Sequence, residues 1–152
     1  MRELEQFIIE AKAACYAGGG SHARVPCRTR SHDILHERNE FRYMDSYFGG
    51  TDFLGQEVVW IDDEPVWAMN YYGRITEPML LCSTRAGTII KSALTALYRE
   101  GRFLGGFSFQ HADGEYIDES VGDHRGFRGI ERILVNDRLA YQLDYQGGII
   151  KP

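Results

Sequence analysis

The stretch FLGQEVVWIDDEPVWAMNYYG, residues 53–73, returns in degenerate form as FRGIERILVNDRLAYQLDYQG, residues 127–147. Setting Phe127 against Phe53 without gaps makes Gly55/Gly129, Glu57/Glu131, Asp63/Asp137, Tyr71/Tyr145 and Gly73/Gly147 identical pairs. Val59/Ile133, Ile61/Val135, Trp67/Tyr141 and Met69/Leu143 keep their chemistry. Two copies of one supersecondary unit explain the recurrence. Asp62-Asp63 and Asn136-Asp137 are turn chemistry, because short Asn and Asp side chains bond local backbone and tolerate left-handed dihedrals, so each copy reads as a β-hairpin. Alternation places Glu57, Val59 and Ile61 with Trp67, Met69 and Tyr71 toward a core, and their counterparts Glu131, Ile133 and Val135 with Tyr141, Leu143 and Tyr145. The other face of the first hairpin, Val58, Trp60, Val66 and Ala68, is also apolar and calls for a cover or a partner.

Working outward, residues 41–48 alternate as a strand before the first hairpin, and residues 114–120 supply the counterpart, with Tyr116 and Asp118 matching Tyr43 and Asp45. Leu4, Phe7, Ile8 and Ala11 recur at helical spacing, with Glu3, Glu5, Glu10 and Lys12 on the opposite side and Gly18-Gly19-Gly20 as the stop. A second helix carries Ile90, Ala93, Leu94, Leu97 and Tyr98, with Thr88 as its N-cap and Gly101 as its end. The expected order is α-β-β-β-α-β-β-β: an α+β fold, one antiparallel sheet with both helices packed on one face. The chain is expected to be a single domain, 1–152, with an internal repeat at approximately 1–75 and 84–150.

At 152 residues, of which 43% are hydrophobic, the chain supports one core without staples. The formal net charge of -5 argues against a general nucleic-acid binder. Three cysteines without a CxxC argue against a disulfide framework, and the N-terminus has no continuous apolar run for a signal peptide or membrane span. The cytoplasm is the expected location.

The quoted hairpin, together with CYAGGG at 15–20, SHD at 31–33 and YMDSYFGG at 43–50, resembles a bacterial family known as a domain of unknown function, number 5680. Members occur alone or behind a helix-turn-helix DNA-binding domain. The resemblance implies a stand-alone version here, supplies no activity, and by analogy implies a sensing or interaction module.

Among candidate sites, Glu57 and Glu131 are the only acids on otherwise apolar strand faces. Desolvation raises a carboxyl group's pKa toward the range useful in general acid chemistry, and two such groups brought together resemble a two-carboxylate hydrolase. Alternatively each acid pairs with a glycine turn or an arginine such as Arg128. Asp45 and Asp118, flanked by Tyr43, Tyr47 and Tyr116, suit a polar ligand or cation, or else the solvent face of an edge strand. Residues 21–40 read as a polar loop. Its Arg24, Arg28 and Arg30 can hold an anion or simply face water. Cys27, His32 and His36 have a spacing zinc can use but lack a second cysteine, so no metal or cofactor is assigned. Trp60, Trp67, Tyr71 and Tyr72 line a cleft, or else belong to the core or a subunit interface.

The leading expectation is a non-enzymatic module that binds a small molecule or protein in a cleft bounded by the sheet, the 21–40 loop and the aromatic residues. Its expected binding residues are Arg28, Arg30, His32, Asp45, Tyr47, Glu57, Trp67, Tyr71 and Glu131. A hydrolase using Glu57 and Glu131 is the alternative, and a homodimer through the outer face of the first hairpin is a subsidiary expectation.

Overall fold

The computed structural model describes residues 2–17, 21–22 and 25–151. Gly18, Gly19 and Gly20, expected to end the first helix, and Arg24 lie outside the described residues. The elements run α1 (Arg2–Ala17), β1 (Ser21–His22), β2 (His32–Arg38), β3 (Phe41–Gly49), β4 (Phe53–Ile61), β5 (Glu64–Ile75), α2 (Ser83–Arg99), β6 (Phe107–His111), β7 (Gly114–Asp123), β8 (Gly126–Val135) and β9 (Arg138–Ile149). The fold is α+β. The strands form one antiparallel sheet in the order β1-β2-β3-β4-β5-β9-β8-β7-β6.

The two long hairpins are closed by two-residue turns in which both residues take positive φ: Asp62 (49°) and Asp63 (67°), Asn136 (51°) and Asp137 (61°). That is the primed geometry whose twist suits paired strands, and short Asn and Asp side chains are the non-glycine residues that adopt it most readily. Both hairpins also shift register at corresponding places, Val59/Trp60 and Ile133/Leu134, where a bulge sharpens the local twist. The last strands of the hairpins, β5 and β9, lie side by side at the sheet centre, with Tyr71 directly opposite Tyr145.

Three sequence expectations need correction. First, each set of strands is longer than three. The segment read as a polar loop holds β2, and β6 precedes β7. The polarity of β2 comes from pairing with a helix rather than with water: His36 Nε2 lies 2.9 Å from Glu10 Oε1 and Arg38 Nε 3.0 Å from Glu10 Oε2. Second, α2 starts at Ser83 with Cys82 at the N-cap position, and Thr88 lies within it, its hydroxyl bonded back to the Thr84 carbonyl at 3.1 Å. The buried Ala86 and Ile89 extend the apolar stripe upstream of Thr88, so packing sets the start. The end is as expected: Gly101 at φ 73° donates its N–H to the Tyr98 carbonyl. Third, Lys12 does not sit on the solvent side of α1; it is 5% exposed.

The core gathers Phe7, Ile8 and Ala11 of α1, Ile89, Ala93 and Leu97 of α2, and Tyr43, Val59, Trp67, Tyr116, Ile133 and Tyr141 of the sheet. Trp67 stacks on Phe127 and meets Phe103 edge-on, and its indole N–H donates to the His124 carbonyl at 3.0 Å.

Candidate functional site

On the core side of the sheet the strand registers bring four acids together in pairs. Asp45 of β3 lies directly opposite Glu57 of β4, and Asp118 of β7 directly opposite Glu131 of β8. The expectation that Asp45 and Asp118 face solvent is overturned: they are 1% and 4% exposed. Strand alternation put them beside buried tyrosines, and phenol groups satisfy them where water does not. Tyr71 donates to Asp45 Oδ1 at 2.6 Å, and Tyr145 to Asp118 Oδ1 at the same 2.6 Å. Each tyrosine lies over a glycine. A Cβ on Gly55 would stand 2.3 Å from the Tyr71 hydroxyl oxygen, and one on Gly129 2.2 Å from Tyr145 Cζ. These two glycines therefore carry no side chain because a phenol ring crosses the strand there.

The first pair is completed by α1. Lys12 Nζ lies 2.6 Å from Glu57 Oε2 and donates to Oε1 at 2.8 Å, with the Met69 sulfur at 3.4 Å. Tyr16 donates to Asp45 Oδ2 at 3.2 Å and reaches Glu57 Oε1 at 3.4 Å. Glu57 is 1% exposed, so a lysine at this depth answers the cost of burying its charge. Neither Gly55 nor Arg128 is its partner.

The second pair has no such partner. Glu131 makes no salt bridge to another of the described residues and has only the Tyr116 hydroxyl as a hydrogen-bonding neighbour, and Asp118 Oδ2 is buried without a hydrogen-bond partner. Burial pushes Glu131 up to about 8, with Asp118 adding to the rise and Lys12 and Tyr116 opposing it. Burial, with Glu57 beside it, pushes Asp45 up to about 7 against the pull of Tyr71, Lys12 and Tyr16. Asp118 is raised chiefly by burial.

These groups bound a cavity of about 600 Å³ between α1, α2 and strands β3, β4, β5, β8 and β9. Asp45, Glu57, Glu131, Lys12, Tyr16 and Tyr71 form its polar wall, while Phe53, Ile75, Ile90, Leu94 and Leu143 form its apolar one. Of the other expected site residues, His32 and Tyr47 stand at its margin, their rings stacked 5.0 Å apart. Trp67, Arg28 and Arg30 do not line it. Trp67 is in the core, and Arg30 is exposed in a turn. Arg28 donates to the Ser46 hydroxyl at 2.7 Å and carbonyl at 3.0 Å and lies 4.5 Å over the Phe48 ring. Its loop is further tied down by Asp33, which accepts from the Cys27 N–H and the Ser46 hydroxyl. Among the described residues no cluster of His, Cys, Asp and Glu has metal-binding geometry.

Lys12, Tyr16 and Tyr98 were missed from sequence. An isolated lysine in an amphipathic helix signals nothing, and only the burial of its neighbours Phe7, Ile8, Ala11 and Cys15 on the same face gives it away. A broader concavity of about 1130 Å³ lies on the other face of the sheet, among Leu54, Tyr72, Val121, Arg128 and Ile130, where the charged groups are exposed.

The sequence model of a family described as a domain of unknown function, DUF5680, matches residues 45–150, well over half of the chain. The chain belongs to the DUF5680 family. The matched stretch contains Asp45, Glu57, Tyr71, Asp118, Glu131 and Tyr145, so both acid pairs and both tyrosines are DUF5680 positions, while Lys12 and Tyr16 precede the match. No curated protein and no solved structure matches the chain. No helix among the described residues is long and apolar enough to cross a membrane.

Proposed function

We propose that this DUF5680 protein is a non-enzymatic binding module whose ligand is a small molecule held in the 600 Å³ cavity. The observation that carries the reading is the convergence of the buried Lys12, Asp45 and Glu57 and the half-buried Glu131 on one apolar-walled space of the size that small ligands occupy. The expected site residues Asp45, Glu57, Tyr71 and Glu131 supply the polar wall, with His32 and Tyr47 at the margin. A hydrolase built on Glu57 and Glu131 has less in its favour, because Lys12 engages both oxygens of Glu57 and competes with any proton transfer there.

The fold reading that underlies this is a single domain, 1–152, made of two related halves whose helices cover one face of the sheet. It is supported by the matched turns and bulges, the antiparallel β5–β9 pairing and the paired Tyr–Asp contacts. Three free cysteines, Cys15, Cys27 and Cys82, support a reducing compartment such as the cytoplasm. A homodimer through the outer face of the first hairpin draws support from the exposed Leu54 and Tyr72. Against it, Arg42 already covers Trp60 at 5.1 Å.

The test is a thermal-unfolding screen against small metabolites with wild type and Ile90→Trp, a substitution that fills the cavity from α2. A ligand at a hundred times its dissociation constant adds about 2.7 kcal/mol to wild type and nothing to the variant. Compounds that stabilise both equally bind elsewhere, which overturns the assignment.

A further inference from the structure

The two halves of the site differ in one feature that points to the ligand's charge. Aligning Tyr98 of α2 with Tyr16 of α1 sets Ile89 against Phe7, Ala93 against Ala11, Leu97 against Cys15 and Leu94 against Lys12. Every member of those pairs other than Tyr16 is buried. The helical position that delivers an ammonium to Glu57 therefore delivers an isobutyl group beside Glu131. On this side Glu131 makes no salt bridge among the described residues and has only the Tyr116 hydroxyl as a hydrogen-bonding neighbour, while Asp118 Oδ2 and the hydroxyl of Tyr141, which is 1% exposed and lines the cavity, are buried without a partner. Between Leu94, Asp118 and Glu131 lies a void of about 30 Å³, and Lys12, Met69, Leu94, Tyr98 and Glu131 line both this void and the main cavity. That is the space of one water molecule or one ammonium group. The neighbouring walls are apolar or aromatic, favouring an aliphatic or aromatic body behind the charge.

We propose that the cavity takes an organic ammonium compound, its nitrogen held by Glu131 and Asp118 as Lys12 is held by Glu57, and its apolar body lying between Ile90, Leu143 and Phe53. The inference rests on the cavity being a ligand site. Neutral and anionic ligands of the same shape lack the counter-charge that the unpaired acids ask for, and a buried carboxylate gains most from a partner carrying a full charge and a hydrogen bond. The acid is presented by the sheet, and the space for the cation exists because Leu94 is shorter than lysine and uncharged.

The experiment measures binding of n-hexylammonium, 1-hexanol and hexanoate to the full chain by calorimetry at pH 8, with wild type, Glu131→Gln and Leu94→Lys. The expected result is an affinity for hexylammonium about tenfold or more above that for hexanol, reduced to the hexanol level in Glu131→Gln. Leu94→Lys supplies an internal ammonium and abolishes amine binding, a second route should the Gln variant fold poorly. Equal affinity for hexanol and hexylammonium, unchanged by Glu131→Gln, overturns the cation assignment and leaves the cavity reading standing, with water as the occupant of the small void. Tightest binding of hexanoate makes Lys12 the recognition group and also overturns it. No binding of any of the three overturns the cavity reading and this inference together.

Discussion

Tyr71 and Tyr145 face each other across the β5–β9 seam, and each sends its hydroxyl 2.6 Å to an aspartate two strands away, Asp45 and Asp118. To do so each ring crosses the strand between at a glycine, Gly55 or Gly129. Glycine in a strand ordinarily weakens it, through backbone entropy and the lack of a side chain to pack. Here the ring takes the place of the side chain and anchors a buried acid, so the glycine, the tyrosine and the aspartate act as one unit at both places.

Gly55→Ala follows from this as a strongly destabilising change for so small a substitution. The added methyl would overlap the Tyr71 ring, and overpacking of this kind costs about 1–3 kcal/mol. In a Tyr71→Ala background the same substitution becomes nearly neutral, because the obstacle is gone. Urea unfolding of the four proteins in this cycle checks it; additive effects would mean that the ring does not lie over Gly55.

Lys12→Met leaves Glu57 buried beside Asp45 without its cation. Removing one partner of a buried ion pair costs about 3–5 kcal/mol, whereas replacing both by apolar groups of similar volume is often neutral. The double variant Lys12→Met/Glu57→Leu therefore regains most of the stability that Lys12→Met loses. A Lys12→Met protein as stable as wild type would remove the ion pair from the account of the fold.

The hairpins were legible because turn chemistry and alternation are local: Asp62-Asp63 and Asn136-Asp137 name their own geometry, and Val59, Ile61, Met69 and Leu143 name their face. Glu57 and Glu131 stood out as acids in apolar company. The depth of Asp45 and Asp118 was not legible, because their hydrogen-bond donors, Tyr71 and Tyr145, lie 26 and 27 residues away in sequence. β2 was hidden for a related reason: His36 and Arg38 look solvated until Glu10 on α1 is placed over them. Lys12 was misread because helical periodicity counts a lysine as polar wherever it points. What escaped the sequence in each case was a polar side chain whose partner comes from a distant segment.

The thiols separate by environment. Cys27 and Cys82 are exposed, while Cys15 is buried between α1 and the sheet. Burial, with the charges of Glu57 and Asp45 nearby, pushes the Cys15 thiol up to about 12. Titration with a thiol reagent at pH 8 is expected to modify two cysteines at once and the third only on unfolding, so three fast equivalents in the native protein would contradict the placement of Cys15.

The buried acids also set the pH dependence of stability, and with a sign opposite to that of a salt-bridged carboxylate. Asp45 is raised from 3.8 to about 7 and Glu131 from 4.5 to about 8, so between those limits the folded protein holds protons that the unfolded chain releases. Their contribution is complete below about pH 4 and is lost as pH rises through 7 and 8. Each such proton gives a slope of about 1.4 kcal/mol per pH unit within its window. Asp33 runs the other way. Burial alone would raise it, but the hydrogen bonds from the Cys27 N–H and the Ser46 hydroxyl outweigh that and hold it down at about 2, so its contribution disappears in acid, from about 4 down to 2. The groups facing Glu131 are Lys12 on α1, Tyr98 on α2, Glu57 on β4, Asp118 and Tyr116 on β7, and Tyr145 on β9. Among the tyrosines, burial raises Tyr98, Tyr116 and Tyr145, which keeps them protonated throughout this range. Stability is thus expected to peak near pH 4 and to fall between about pH 4 and 8, and Glu131→Gln to flatten that fall. Parallel curves for wild type and Glu131→Gln from pH 5 to 9 would show that Glu131 is ionised in the folded protein, and that Lys12 is close enough to serve both glutamates.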